Sequence, residues 1–128
     1  MKLGYVVVYV ADVGAAINQY HQAFGLEVRF LHESGMYAEL ATGATVVAFA
    51  SEQLACENGL SVVPNRRHAT APAMHLSFVV EDVPHVCAAA VAAGMTLEIA
   101  PMQKPWGQIV AYLRDDNGCY IEVCTAVT

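Results

Sequence analysis

The sequence predicts an α+β fold made of two tandem βαβββ modules. Three observations predict it. Short runs alternate in side-chain character, as strands do. An amphipathic helical pattern follows the first such run. The whole order then repeats at a fixed offset: Asp12 and Asp82 stand 82 − 12 = 70 residues apart, and Tyr5 and His75 stand 75 − 5 = 70 apart. The 128 residues suit a single domain. Its first module covers about 1–50, a linker 51–72, and the second module about 73–128.

In "GYVVVYVADV", Tyr5, Val7 and Tyr9 point one way and Val6, Val8 and Val10 the other. The next segment, "VGAAINQYHQAFG", places Val13, Ala16, Ile17, Tyr20 and Phe24 at helical spacing. Asp12 suits its N-cap and Gly25 its C-terminal stop. Strands are expected in "LEVRFLH", "GMYAELA" and "TVVAFAS", separated by "ESG" and "ATGA" turns. In the second half "MHLSFVVEDV" is a strand and Asp82 the cap. "VPHVCAAAVAAG" is a helix that tolerates Pro84 in its first turn and ends at Gly94. "MTLEIA", "GQIVAYLRD" and "CYIEVCT" are strands, with a "DDNG" turn before the last. The linker, "SEQLACENGLSVVPNRRHATAP", is expected to be a solvated crossover.

Composition narrows the function. Apolar residues make up 56% and charged residues 14%, enough for a sizeable core and a subunit interface. A net charge of −6 speaks against nucleic acid and anionic membrane surfaces. No apolar run approaches a membrane span of ~20 residues, and no convincing signal peptide opens the chain, so a cytoplasmic location is expected. Cys56, Cys87, Cys119 and Cys124 form no CxxC pair or zinc-ribbon spacing and read as small buried hydrophobes. His21, His32, His68 and His85 read as solvated.

Strand parity divides each sheet into two faces. Val6/Val8/Val10, Met36/Ala38/Leu40, Val47/Phe49, Leu76/Phe78/Val80, Ile109/Ala111/Leu113 and Ile121/Val123 are expected to meet the helices. The other parity collects Tyr5, Tyr9, Tyr37, Glu39, Ala48, His75, Ser77, Gln108, Tyr112, Tyr120 and Glu122, joined by Trp106 if it too is extended. No lysine or arginine falls in this set. So many polar groups on one face predict a cleft lining rather than a core, because unpaired buried polar groups are costly.

The paired modules, the segment "DVGAAINQYHQAFGLEV" and the ending "WGQIVAYLRDDNGCYIEV" resemble the vicinal oxygen chelate superfamily. That group holds glyoxalase I, bleomycin-resistance proteins, fosfomycin-resistance enzymes and ring-cleaving dioxygenases. The resemblance implies curved mixed sheets that form an open half-barrel cleft with helices on the outer face. In metal-dependent members the ligands come from the first and last strands of each module. Those places here are Tyr5, Ala48, His75 and Glu122, once a one-residue difference in the turn is allowed. The second module thus keeps a histidine and a glutamate, ordinary ligands for Zn, Ni, Mn or Fe, while the first keeps neither. The expectation is a protein without a cofactor, with a divalent metal at His75 and Glu122 as the minority alternative.

The function expected is small-molecule binding of the glyoxalase/bleomycin-resistance type, by a homodimer. An aromatic or cationic ligand, such as an antibiotic, would contact Tyr5, Tyr9, Tyr37, Glu39, His75, Trp106, Gln108, Tyr112 and Glu122. The rival reading is an enzyme: a metal-dependent lactoylglutathione-lyase-like isomerase with Glu122 as its base, or a fosfomycin-type thiol transferase. A third is a cleft protein that binds a metabolite or a partner.

Overall fold

A computed structural model describes residues 1–127 and gives two compact units. The first holds residues 1–21 and 25–65; the second holds residues 22–24 and those from 66 onward. The order of elements is β1 (Tyr5–Val10), α1 (Val13–Phe24), β2 (Val28–Leu31), β3 (Tyr37–Leu40), β4 (Val46–Ser51), α2 (Glu52–Glu57), β5 (His75–Val79), α3 (Val83–Ala92), β6 (Thr96–Gln103), β7 (Ile109–Arg114) and β8 (Tyr120–Cys124). The tandem βαβββ order expected from the sequence is present in both halves.

Each unit carries one four-stranded mixed sheet, ordered β1-β4-β3-β2 in the first and β5-β8-β7-β6 in the second. In both, the first strand runs parallel to the last strand of its own module and the remaining pairings are antiparallel. Both sheets are open, with edges at β1 and β2 or at β5 and β6.

The caps follow from the sequence. Asp12 accepts from the Ala15 N–H at 2.9 Å, and Asp82 accepts from the His85 N–H at 3.1 Å. These bonds satisfy helix-start donors that would otherwise lack a partner. Gly25 ends α1 at φ 69°, a left-handed conformation that glycine adopts without steric cost.

The apolar parity is the packed one. Within the first unit Tyr20 of α1 meets Phe49 of β4 edge to face at 4.9 Å, and both are buried. Within the second, α3 packs on β6, β7 and β8, over the buried Ala111, Leu113, Ile121 and Val123.

Three expectations need correction. The linker is not irregular throughout. Its start forms α2, capped by the Ser51 side chain on the Leu54 N–H at 3.0 Å and anchored by the buried Ala55. One buried alanine and one cap are too faint a pattern for periodicity to reveal. The helix also carries Cys56 to the surface, so only three of the four cysteines are buried. Further on, Asn65 donates to the Tyr9 carbonyl and Arg67 pairs with Asp116 at 2.9 Å. Strand β6 also runs beyond "MTLEIA" to Gln103. No helix among the described residues is long and apolar enough to cross a membrane.

Candidate functional site

The second module gathers its chemistry around Glu122. Strand β8 lies between β5 and β7, so Glu122 has Ser77 beside it on one strand and Tyr112 on the other. Side chains paired across strands share a face. Ser77 donates to Glu122 Oε1 at 2.6 Å, and Tyr112 donates to Oε2 at 2.7 Å. His75 Nε2 stands 3.9 Å from Oε2, and its ring meets that of Tyr112 edge to face at 5.5 Å. Burial alone would push the Glu122 carboxyl up. Hydrogen bonds from Ser77, Tyr112 and the Cys124 thiol, with the charge of His75, outweigh it and hold the group below its ordinary 4.5. Tyr112 moves the other way: its bond to Glu122, burial and the carboxylate's charge all raise its hydroxyl.

Beside this group lies a depression of about 410 Å³, lined by His75, Glu98, Ile99, Tyr112 and Tyr120. Glu98 arrives there by a β-bulge. Leu97 pairs with Leu113 and Ile99 with Tyr112, so Glu98 is an extra residue in β6. Sequence reasoning missed it because alternation assumes an unbroken register.

The first module has the same bulge. Val28 pairs with Leu40 and Phe30 with Glu39, leaving Arg29 as the extra residue. Arg29 Nε lies 3.1 Å from Glu39 Oε1, while Tyr37 donates to Oε2 at 2.8 Å. Burial, then the bond to Glu39 and its charge, push the Tyr37 hydroxyl up to about 12. Glu39 is opposite Ala48, and Tyr5 and Tyr9 lie on β1 opposite Val46 and Ala50. Ala48 and Glu122 are duplicate positions: each is last-strand partner to a first-strand residue 70 apart, Val7 and Ser77.

The polar face is therefore not free of cations. Arg29 reaches it through the bulge. Arg114 shares the parity of Tyr112, sits with its guanidinium 5.4 Å from the centre of the Tyr120 ring, and donates to the carbonyls of Gly118 and Ala69. Trp106 is not extended. It lies in the turn between β6 and β7, 58% exposed, and donates to the Gln108 side chain at 2.8 Å. Gln108 in turn donates to the Thr125 carbonyl. This pair closes the end of β7 opposite to the one where Arg114 meets Tyr120. Proline and glycine flank Trp106 in "KPWGQ" and impose the turn that parity ignored.

Among the described residues no group of three histidine, cysteine or acidic side chains converges to hold a metal. His75 and Glu122 supply two donors, and both Glu122 oxygens already accept a hydrogen bond. That is a poor set for a resident divalent ion, which in catalytic zinc sites takes about three protein ligands.

The sequence model of the Glyoxalase/Bleomycin resistance protein/Dioxygenase superfamily matches residues 2–123. No curated protein sequence matches the chain. Solved structures share its fold. A glyoxalase-related enzyme from Fulvimarina pelagi is 22% identical, with 98% of this chain and 88% of that one covered at a TM-score of 0.84. A glyoxalase/bleomycin resistance protein/dioxygenase family enzyme from Burkholderia phytofirmans PsJN is 24% identical over all of both chains, also at 0.84. TioX from Micromonospora sp. ML1 is 20% identical, with 98% of each chain covered at 0.73.

Proposed function

The chain belongs to the Glyoxalase/Bleomycin resistance protein/Dioxygenase superfamily, and from that premise we propose that it binds a small cationic or aromatic molecule, such as an antibiotic, without a resident metal. The binding place is the depression on the polar face of the second module. One observation carries this reading. Glu122 is held ionised by Ser77 and Tyr112 against a lining of His75, Tyr112 and Tyr120. A fixed carboxylate attracts a cation, and aromatic walls add stacking and cation–π attraction. The proposal includes a homodimer in the cytoplasm.

The approach of His75 Nε2 to Glu122 favours a second reading, a metal-dependent lyase, isomerase or fosfomycin-type thiol transferase using those two residues. In that reading Glu122 is the base. Its two bound donors count against it, because a carboxylate that accepts two hydrogen bonds is a weakened base and a crowded ligand.

Metal analysis and a thermal-shift screen of cationic aromatic antibiotics and glutathione adducts separate the two. We expect far less than one equivalent of Zn, Ni, Mn or Fe in protein purified without chelator. We expect a cationic aromatic compound to raise the melting temperature by mass action. Glu122→Gln should then weaken that compound about tenfold or more, as loss of a charged hydrogen-bond partner does. A stoichiometric metal that disappears in both His75→Ala and Glu122→Gln would overturn the binding reading in favour of the enzyme.

A further inference from the structure

We propose that Glu98 is the specificity-determining residue of the second-module depression, and that the cation it selects is a planar guanidinium or amidinium. This rests on the reading above and deepens it, since it names the ligand's charged group.

The internal duplication puts the two bulges in correspondence. The bulged residues are equivalent, Arg29 in β2 and Glu98 in β6, 98 − 29 = 69 residues apart. The residues opposite their neighbours are equivalent too, Glu39 and Tyr112, 112 − 39 = 73 apart. In each module a tyrosine donates to a glutamate, Tyr37 to Glu39 and Tyr112 to Glu122, but from different register positions, since Tyr112 stands at the place of Glu39 and Glu122 at that of Ala48. The first module completes its pair with a guanidinium of its own. Arg29 comes off the bulge onto the free oxygen of Glu39, and one positive charge balances one negative. In the second module the bulge delivers a carboxylate instead. Glu98 and Glu122 then sum to −2, against a single imidazole, His75.

The other cation near this lining does not fill the gap. Arg114 stands over Tyr120 and directs its Nε and Nη2 to the Gly118 and Ala69 carbonyls rather than to Glu98 or Glu122. Among the described residues no lysine or arginine pairs with Glu98 or Glu122. The bulge of the second module thus carries a carboxylate without a cation of its own, where the first carries a guanidinium, and the ligand supplies the cation. A planar fork matches a carboxylate through two parallel bonds and stacks on aromatic faces. Tyr112, Tyr120 and His75 provide those faces. An ammonium is a hydrated point charge that uses neither feature well.

The test titrates the full chain with benzamidinium, benzylammonium and neutral benzamide, three probes that share a ring and differ in the polar group. We expect benzamidinium to bind most tightly, and Glu98→Gln to weaken it about tenfold while narrowing its lead over benzylammonium. Glu98→Arg, which copies the first module, should abolish binding of both cations. Glu98 is exposed, so both variants should melt close to wild type. If benzylammonium binds as well as benzamidinium and weakens in Glu122→Gln but not in Glu98→Gln, this inference fails while the cation-binding reading stands. If neither cation binds better than benzamide, the inference fails with the charge-based reading it rests on.

Discussion

Tyr37 and Tyr112 make the same bond in different surroundings, and the difference is measurable. Each donates to a glutamate, but burial, then the bond to Glu39 and its charge, push the Tyr37 hydroxyl up to about 12 against a smaller opposing pull from Arg29. A folded-state value above the unfolded one means the protonated phenol is favoured by folding. That contribution is complete below pH 10 and is lost as pH rises from 10 through about 12. Spectrophotometric titration should show a late phenolate phase that vanishes in Tyr37→Phe; a wild-type curve without that phase would mean that Tyr37 is not held, buried and bonded to Glu39, in solution. Gly118 gives a steric case. A Cβ there would collide with the Arg66 carbonyl oxygen and lie 2.7 Å from Arg114 Nη2, at φ 81°. Left-handed backbone alone costs a non-glycine residue roughly 1–2 kcal/mol, so Gly118→Ala should destabilise by more than ~2 kcal/mol in urea. A loss under half of that would show that the loop yields. Residues on unbroken strands were legible in the sequence: His75, Ser77, Tyr112 and Glu122 converge as parity requires. Arg29 and Glu98 were not, because a bulge leaves no mark in an alternating pattern.

At the scale of elements, the caps were legible because aspartate before an apolar helical run has one favourable use. Asp12 and Asp82 make duplicate bonds to the third residue beyond each. Replacing either by alanine leaves a helix-start N–H to water, and such losses typically cost ~1 kcal/mol. Asp12→Ala and Asp82→Ala should therefore each lower stability by about that amount, and additively, since the two caps share no partner. A double variant well away from the sum in denaturant melts would reveal coupling between the two caps. Helix α2 was illegible for the opposite reason. It buries one residue, Ala55, in six and leaves the rest polar or part-exposed. Trp106 was placed on the polar face only if extended, and that condition is not met, because Pro105 and Gly107 hold it in a turn.

For the whole molecule, the duplication explains the order of strands and sets off the asymmetry between a bulge arginine paired with Glu39 in one sheet and a bulge glutamate beside Tyr112 in the other. It also leaves two unpaired apolar edges. Val28, Phe30 and Leu31 on β2 and Leu97, Ile99 and Met102 on β6 are all exposed. Neither edge carries a lysine, and the guards present against pairing with another chain are a bulge with one charged residue on each and Pro101 on β6. A chain with 56% apolar residues and only 14% charged has few other ways to keep such surface from water. We therefore expect a homodimer at micromolar concentration, with a mass by light scattering of twice 13.7 kDa. A stable interface of this kind buries roughly 1,200–2,000 Å², so one lysine at its centre should weaken it strongly. Leu31→Lys places a charge on the more exposed end of β2, where no bond of the Glu39 group is disturbed. It should shift the protein to monomer while the far-ultraviolet spectrum stays as in wild type. A wild-type monomer would remove the dimer from the proposal, and a dimer unaffected by Leu31→Lys would move the interface off β2.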